Sequence, residues 1–445
     1  MNAVRNHPPV QAFHDLFSAG KTGLPGGDGP LLGLRETRFA RFADAGIPSQ
    51  RAEAWKFTNV ARHANVPMAL GGHVQIGASE LSAFFCGGHL ARRMIFVNGH
   101  VSRDFSHVRG LPEGVSVRVL ADAVDDGEVR ERIAALDDGR SFTDLNAALM
   151  QSGAVIDVAD GVHVAFPLQM LFAAVGSQRA ATMNHPRLLV RLGRGAKLHL
   201  IETHAALQDG STFTNLVSQI ELGDEAELIH DRLQAGRDGS VLLSKADMRL
   251  GERSRLRQTL ASLGGALVRN ESTLHLDGTF ADAVMNGAFM PTAREHVDNA
   301  ICVHHRQPDC HSDQFYKGVM DGYGRGVFAG RIVVHEDAQR TNAFQTNNNL
   351  LLSDDAEIDS KPELEIYADD VKCSHGATCG DLDEQSLFYL RSRGIDADTA
   401  RSILVYAFAG EVIERLVDEG TRRLAMQHVF ARLAGGGGLS GMLEG

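Results

Sequence analysis

RLGRGAKLHL (residues 191–200), ELGDEAELIH (221–230) and RLGERSRLRQ (249–258) are three passes of one phrase. Each runs apolar residue, turn, small residue, then alternation, and the copies begin about 30 residues apart, a period that marks a solenoid. LLSDDAEIDS (351–360) fits the same template. The alternation has period 2, so the repeats are strands and helical repeats are excluded. Almost no helical segment separates the copies, so leucine-rich and βαβ arrays do not fit. A β-helix or β-roll remains, in which each coil touches only its neighbours. FQTNNNLLL (344–352) agrees. Asn347, Asn348 and Asn349 suit turn positions, and stacked Asn side chains form amide ladders. Three Asn also mark an ordinary loop.

The flanks read differently. In LRETRFARFADAG (34–46), Leu34, Phe39, Phe42 and Ala43 lie close to helical spacing, and Gly46 and Pro48 end the helix. RMIFVNGHVSRDFS (93–106) reads as a hairpin about Asn98-Gly99, a strong two-residue turn signal. Further helical patches run from about Asp125 to Leu136 and over FTDLNAALMQSG (142–153). Near the C-terminus, DADTARSILVYAFAGEVIERLVDEG (396–420) starts at an Asp cap, Asp396 or Asp398. Ile403, Leu404, Ala407, Phe408, Val412 and Leu416 make its apolar stripe, and Gly420 is its stop. TRRLAMQHVFARL (421–433) continues helical. The chain is therefore expected to be mainly β. An N-terminal helical domain with a small hairpin takes 1–150, and a β-solenoid core 151–380. A C-terminal helical domain takes 381–435, and a Gly-rich flexible tail 436–445.

Composition limits the partners. The net charge of −12 argues against nucleic acid, which needs a basic field. The N-terminus has no apolar h-region, so no secretory signal is read. The longest clean apolar run, ILVYAFA (403–409), is far too short to span a bilayer. A cytoplasmic protein is expected, with its five cysteines as reduced thiols.

Two clusters carry candidate chemistry. In YADDVKCSHGATCG (367–380), Cys373 and His375 are two apart, so an extended segment sends both to one face. A thiolate and an imidazole suit iron or zinc. They supply only two ligands where a closed structural zinc site needs four. Either they form half of a site completed by another chain, or they are a thiol and a hydrogen-bonded His before a turn. The second cluster is ICVHHRQPDCHSDQFYKG (301–318), with Cys302, His304, His305, Cys310 and His311. Alternation turns one of His304 and His305 inward and the other outward, which favours a strand and turn with polar histidines over a converging site. There is no P-loop, no Rossmann fingerprint and no G-x-S-x-G elbow. The acids of SDDAEIDSKPELEIYADD (353–370) fall at apparent turns, as a solvated edge would. A carbohydrate-cleaving β-helix would use such acids, but the sequence offers no groove of aromatics to stack sugars.

The run from SDQFYKGVMDGYGRGVFAGRIVVHEDAQRTNAFQTNNNLLL through DVKCSHGATCG to FYLRSRGI (312–395) resembles the C-terminal core of the SufB/SufD family of the SUF iron–sulfur cluster assembly system. RAEAWKFT (51–58) resembles the SufD branch of that family, and the chain lacks the N-terminal cysteine-rich motif of some SufB chains. The resemblance implies a right-handed parallel β-helix between helical N- and C-terminal domains. It implies a non-catalytic scaffold that pairs with a SufB-like paralogue and docks the SufC ATPase through its C-terminal helices. On that account Ile403, Leu404, Phe408, Glu411 and Val412 are the partner-binding residues. It also implies a transient iron–sulfur cluster at the interface with SufB, built with sulfur from a SufE- or SufU-type donor. DVKCSHGAT carries the family's interface ligands, His375 first and Cys373 next, with Cys379 a bystander. A homodimer of the isolated chain stays open beside this pairing. So does a SufB-like chain that itself holds the cluster or accepts persulfide sulfur. No nucleic acid and no membrane are implied as partners.

Overall fold

The computed structural model describes residues 8–433. The tail expected over 436–445 lies outside the described residues. Strands take 41% of the chain and helices 24%, so the protein is mainly β. Its centre is a parallel β-helix of about 8 turns.

Two long sheets form the walls. Consecutive strands of the chain alternate between them, so each strand bonds to strands of neighbouring coils. In the second sheet Lys197 pairs with Glu227, then Arg255, Asp282, His311, Asn342 and Lys372 follow in register. Those steps are 30, 28, 27, 29, 31 and 30 residues, so the period in the sequence is one coil. Inside, Leu198, Leu228, Leu256 and Ala283 stack in the same register within one apolar core. Burying each Leu contributes roughly 1.5–3 kcal/mol. A single coil has no second layer, so only stacking buries that face.

The repeated phrase is a corner of the coil. One strand ends at Leu192 and the next begins at Lys197, with Gly195 between them at φ 66°. The matching residues of later coils are Glu225, Arg253, Phe280, Asp309 and Arg340, all with φ between 53° and 61°. Each donates its N–H to the following coil: Gly195 to Asp224 O, Glu225 to Glu252 O, Arg253 to Thr279 O, and on to Arg340 with Asp370 O. A non-glycine residue there costs on the order of 1–2 kcal/mol, and the hydrogen bond offsets about half or more of it. Residues 351–360 also form a corner, but the opposite one, where the chain passes from the second sheet to the first. Asn347, Asn348 and Asn349 are not at a turn. They lie within the strand Thr341–Leu351.

The N-terminal third supplies both helices and strands. Helices Pro8–Gly20 and Leu32–Ala45 bury Phe13, Phe17, Phe39 and Phe42 against each other, and Gly46 ends the second at φ 70°. The hairpin joins Arg92–Val97 to His100–Val101 about Asn98-Gly99. Arg92–Val97 also pairs in parallel with Leu168–Val175, and Val115–Val119 pairs with Gly153–Val158. Hydrogen bonding therefore runs unbroken across residue 150. Helix Gly127–Ala135 is capped by Asp126, and Ser141–Leu149 follows it.

Three helices follow the last coil: Glu384–Ser392, Ala397–Ile413 and Glu419–Arg432. Asp396, rather than Asp398, caps the second, its carboxylate accepting from Thr399 N–H. The last two lie across the outer face of the second sheet. Val405, Ala409, Val412, Ile413 and Leu416 face Leu233, Ala261, Leu263 and Ala288. The buried stripe thus differs from the expected one, since Ala407 is exposed and Ile403, Leu404 and Phe408 are half-buried. Gly420 is no helix stop. It lies in the first turn of Glu419–Arg432, which Asp418 caps.

Candidate functional site

Among the described residues no strand closes the end of the β-helix. Glu357–Ile366 is the last strand of one sheet and Val371–Gly380 of the other, each paired on one side only. Most of Val371–Gly380 is exposed. Unpaired parallel edges of this length are templates for another chain unless something blocks them. Tyr367, which directly follows Glu357–Ile366, is 64% exposed, and Phe388 and Tyr389 of the next helix, Glu384–Ser392, are 75% and 57% exposed.

Cys373 and His375 sit on that last strand. Their register partners are Ala343 and Gln345, both fully buried in the lumen, so both side chains share the inward side of the strand. None of the described strands stacks on that side at the end of the solenoid. Cys373 still packs against the apolar core, and burial pushes its thiol up despite a backbone hydrogen bond from Ala343. His375 is exposed. The strand thus brings together a thiol and an imidazole one pleat apart, about 7 Å along the chain. Cys379 lies two pleats beyond His375, opposite Asn349, and is exposed. Among the described residues, no group of three or more His, Cys, Asp and Glu side chains could hold a metal ion.

Behind His375 the lumen is polar. Gln345 and Gln314 follow it in register, and among the described residues Gln345 Oε1 and Gln314 Nε2 have no partner. Asn347 and Asn349 bond to each other, at 2.8 Å from Asn349 Nδ2 to Asn347 Oδ1, and Asn349 Nδ2 also reaches Thr378 O of the last strand. Asn348 points the other way and accepts from Thr378 Oγ1. The expected Asn ladder is thus a pair within one coil plus two ties to the next. Sequence reading missed the glutamines and the exposed aromatics. The available signals were the alternation FQTNNN and the two adjacent aromatics in the helix EQSLFYLRS.

The second cluster divides as alternation requires. His305 points inward and its Nε2 lies 2.8 Å from Ser312 Oγ. Cys310 is buried and donates to Gly278 O, with its thiol pushed up to about 11 by burial. Cys302 and His304 point outward, Sγ to Nε2 at 3.4 Å, and His304 stacks between His275 and His335. Burial and the neighbouring His275 and Arg306 push His304 down to about 4, and burial pushes the Cys302 thiol up, so the pair is neutral. His311 pairs instead with Asp282 at 2.9 Å.

The five residues assigned to partner binding do not form one surface. Val412 has no exposed area and packs into the core beneath the helix, so it supports the face rather than presenting it. Glu411 is exposed but paired with Lys317, whose ammonium also lies 4.2 Å from the Phe408 ring centroid.

The parallel β-helix thus carries a thiol and an imidazole on its open last strand, and comparison with known proteins gives its family. The family model for the SUF system FeS cluster assembly SufBD core domain matches residues 174–408, and that for the SufBD protein N-terminal region matches 9–170. The chain belongs to the SufB/SufD family of the SUF iron–sulfur cluster assembly system. It is 32% identical to the iron–sulfur cluster assembly protein SufD of Escherichia coli, over 96% of this chain and 97% of that protein. It is 30% identical to an iron–sulfur cluster assembly SufBD family protein of Synechocystis, over 87% and 88% of the two chains. SufD of Bacillus subtilis is 27% identical over 64% and 65%. The protein has a role in iron–sulfur cluster assembly. Among the described residues no helix is long and apolar enough to cross a membrane.

Proposed function

We propose that this chain is a non-catalytic scaffold subunit that pairs, through its last coil, with a SufB-like paralogue. The observation that carries this reading is the open strand Val371–Gly380, which offers Cys373 and His375 one pleat apart at its inward side, with the next donor on that side, Cys379, two pleats farther along and, among the described residues, no group of three donors that could hold a metal ion. A nascent cluster forms where the two chains meet, with His375 its first ligand from this side and Cys373 its second. Exposed Tyr367, Phe388 and Tyr389, in the segments that follow the last two strands, add apolar area for such an interface. The exposed side of Ala397–Ile413, with Ile403, Leu404, Phe408 and Glu411, docks the SufC ATPase. Sulfur reaches the complex from a SufE- or SufU-type donor, in the cytoplasm.

Co-expression with the paralogue and the ATPase tests this. His375→Ala is expected to leave the purified complex intact while cluster-dependent absorbance and maturation of a target enzyme fall at least tenfold. Full maturation by that variant removes His375 from the site. Failure of the native chain to co-purify with a SufB-like protein removes the scaffold reading.

A further inference from the structure

The strand Glu227–Ala235 is gripped by charged groups on both faces. On the outer face Asp231, 1% exposed, accepts the backbone N–H of Val417 at 3.1 Å and of Asp418 at 2.7 Å. Its carboxylate also accepts from His199 Nε2 at 3.0 Å. Asp418 in turn accepts from Thr421 N–H at 2.6 Å, capping the last helix, and from Gly87 N–H at 3.1 Å. One buried carboxylate thus holds the turn between the last two helices against the solenoid wall.

The residues on either side of Asp231 point the other way. His230 and Arg232 turn into the lumen and close on Glu202, which has no exposed area. Glu202 accepts from Arg232 Nε at 3.0 Å, His204 Nε2 at 2.8 Å and His230 Nε2 at 3.2 Å. Arg232 Nη2 also donates to Ser244 Oγ at 2.7 Å, and Gln258 Nε2 donates to His230 Nδ1 at 3.1 Å. His230 is therefore neutral, with its proton on Nε2. Burial alone would raise the Glu202 carboxyl, but Arg232, His204 and His230 outweigh it and hold the group well below the usual carboxylate range. Buried ions are retained at a cost in desolvation, and an apolar filling would serve packing as well.

Adjacent residues of a strand share a rigid peptide plane. A shift of Asp231 along or across the wall therefore displaces His230 and Arg232, and the short bonds to Glu202 have little slack. We propose that Asp231 is a positioning residue that couples the turn between helices Ala397–Ile413 and Glu419–Arg432 to the Glu202 ion cluster in the lumen. The link is a property of this chain alone. Its use to pass the state of a docked ATPase into the solenoid rests on the reading above.

The test uses the full chain without partners, so its result is independent of whether an ATPase docks. Asp231→Asn is expected to speed amide exchange at Val417 and Asp418 at least tenfold and to shift the His230 ring nitrogen resonances. Reciprocally, Glu202→Gln should speed exchange at the same two amides at least threefold, with the amide of Thr399, in a helix cap remote from the cluster, as an unchanged control. Ser244→Ala, which removes one neutral bond to Arg232, replaces Glu202→Gln if that variant does not fold. A merely local anchor predicts faster exchange in Asp231→Asn with unmoved His230 resonances, and that result overturns the proposal. Unchanged Val417 and Asp418 exchange in a folded cluster variant overturns it equally.

Discussion

Arg269→Met should destabilise the protein severely, and the reason is visible around one guanidinium. Arg269 is 3% exposed and pairs with Asp298, itself 1% exposed. Its Nη2 donates to Ala54 O at 2.8 Å, and its guanidinium lies 4.2 Å from the Trp55 ring centroid. Asp298 also accepts from Thr58 Oγ1 at 2.5 Å. The RAEAWKFT segment is thereby fastened to the first sheet. Removing one partner of a buried pair strands the other charge, which costs about 3–5 kcal/mol, and the lost cation–π contact adds roughly 0.5–2 kcal/mol. Asp298→Leu on top of Arg269→Met removes the stranded charge, so the double variant should regain about 2 kcal/mol or more over the sum of the single losses. Guanidinium unfolding supplies the energies. Trp55 is the only tryptophan of the chain, so its fluorescence reports this junction directly. Additive losses, or an Arg269→Met loss below about 1 kcal/mol, would refute the reasoning, because a buried stranded charge must cost more.

Three further outcomes are expected. Gly287 lies flat against the Tyr316 ring, where an added Cβ would come within 2.1 Å of Cε1; Gly287→Ala should cost about 1–3 kcal/mol by overpacking, read as a lowered melting temperature. Maleimide labelling of the folded chain should modify exposed Cys379 first and leave Cys86 and Cys310 unmodified, since both are buried with thiols pushed up to about 11; early loss of either free thiol contradicts the packing. Burial pushes His185 and His305 down to about 3, so below about pH 6.5 the unfolded chain binds protons that the folded one refuses; each should cost about 1.4 kcal/mol per pH unit between pH 6.5 and pH 4. Stability curves measured over that range should flatten by this slope in His305→Gln, and an unchanged slope contradicts the buried neutral ring.

Parts of this protein were legible because they are local. The hairpin about Asn98-Gly99 and the stop at Gly46 each rest on one backbone geometry that few residues allow. The corner ladder was harder. Only Gly161 and Gly195 advertise the left-handed position, while Glu225, Arg253, Phe280, Asp309 and Arg340 occupy it against their propensity because the next coil accepts their N–H groups. The C-terminal stripe was misjudged by part of a turn for a similar reason. Ile403, Leu404 and Phe408 are apolar, yet the solenoid wall meets Val405, Ala409 and Ile413.

By itself the sequence determined that this chain is a β-solenoid with helical flanks, and that Cys373 and His375 leave one side of a strand. Period and alternation suffice for that, because every coil repeats the same local turn and the same two-residue pleat. Only the tertiary structure decided which side is the lumen. In the strand Glu227–Ala235 both faces are buried, one by the neighbouring walls and one by the C-terminal helices, so alternation carries no sign. Polar His230 and charged Arg232 went inward and apolar Leu233 outward, against the usual rule, because Glu202 waits inside and Ala261 and Ala288 outside. The structure likewise put Cys373 and His375 on the inward side of the last coil, on which none of the described residues stacks another strand.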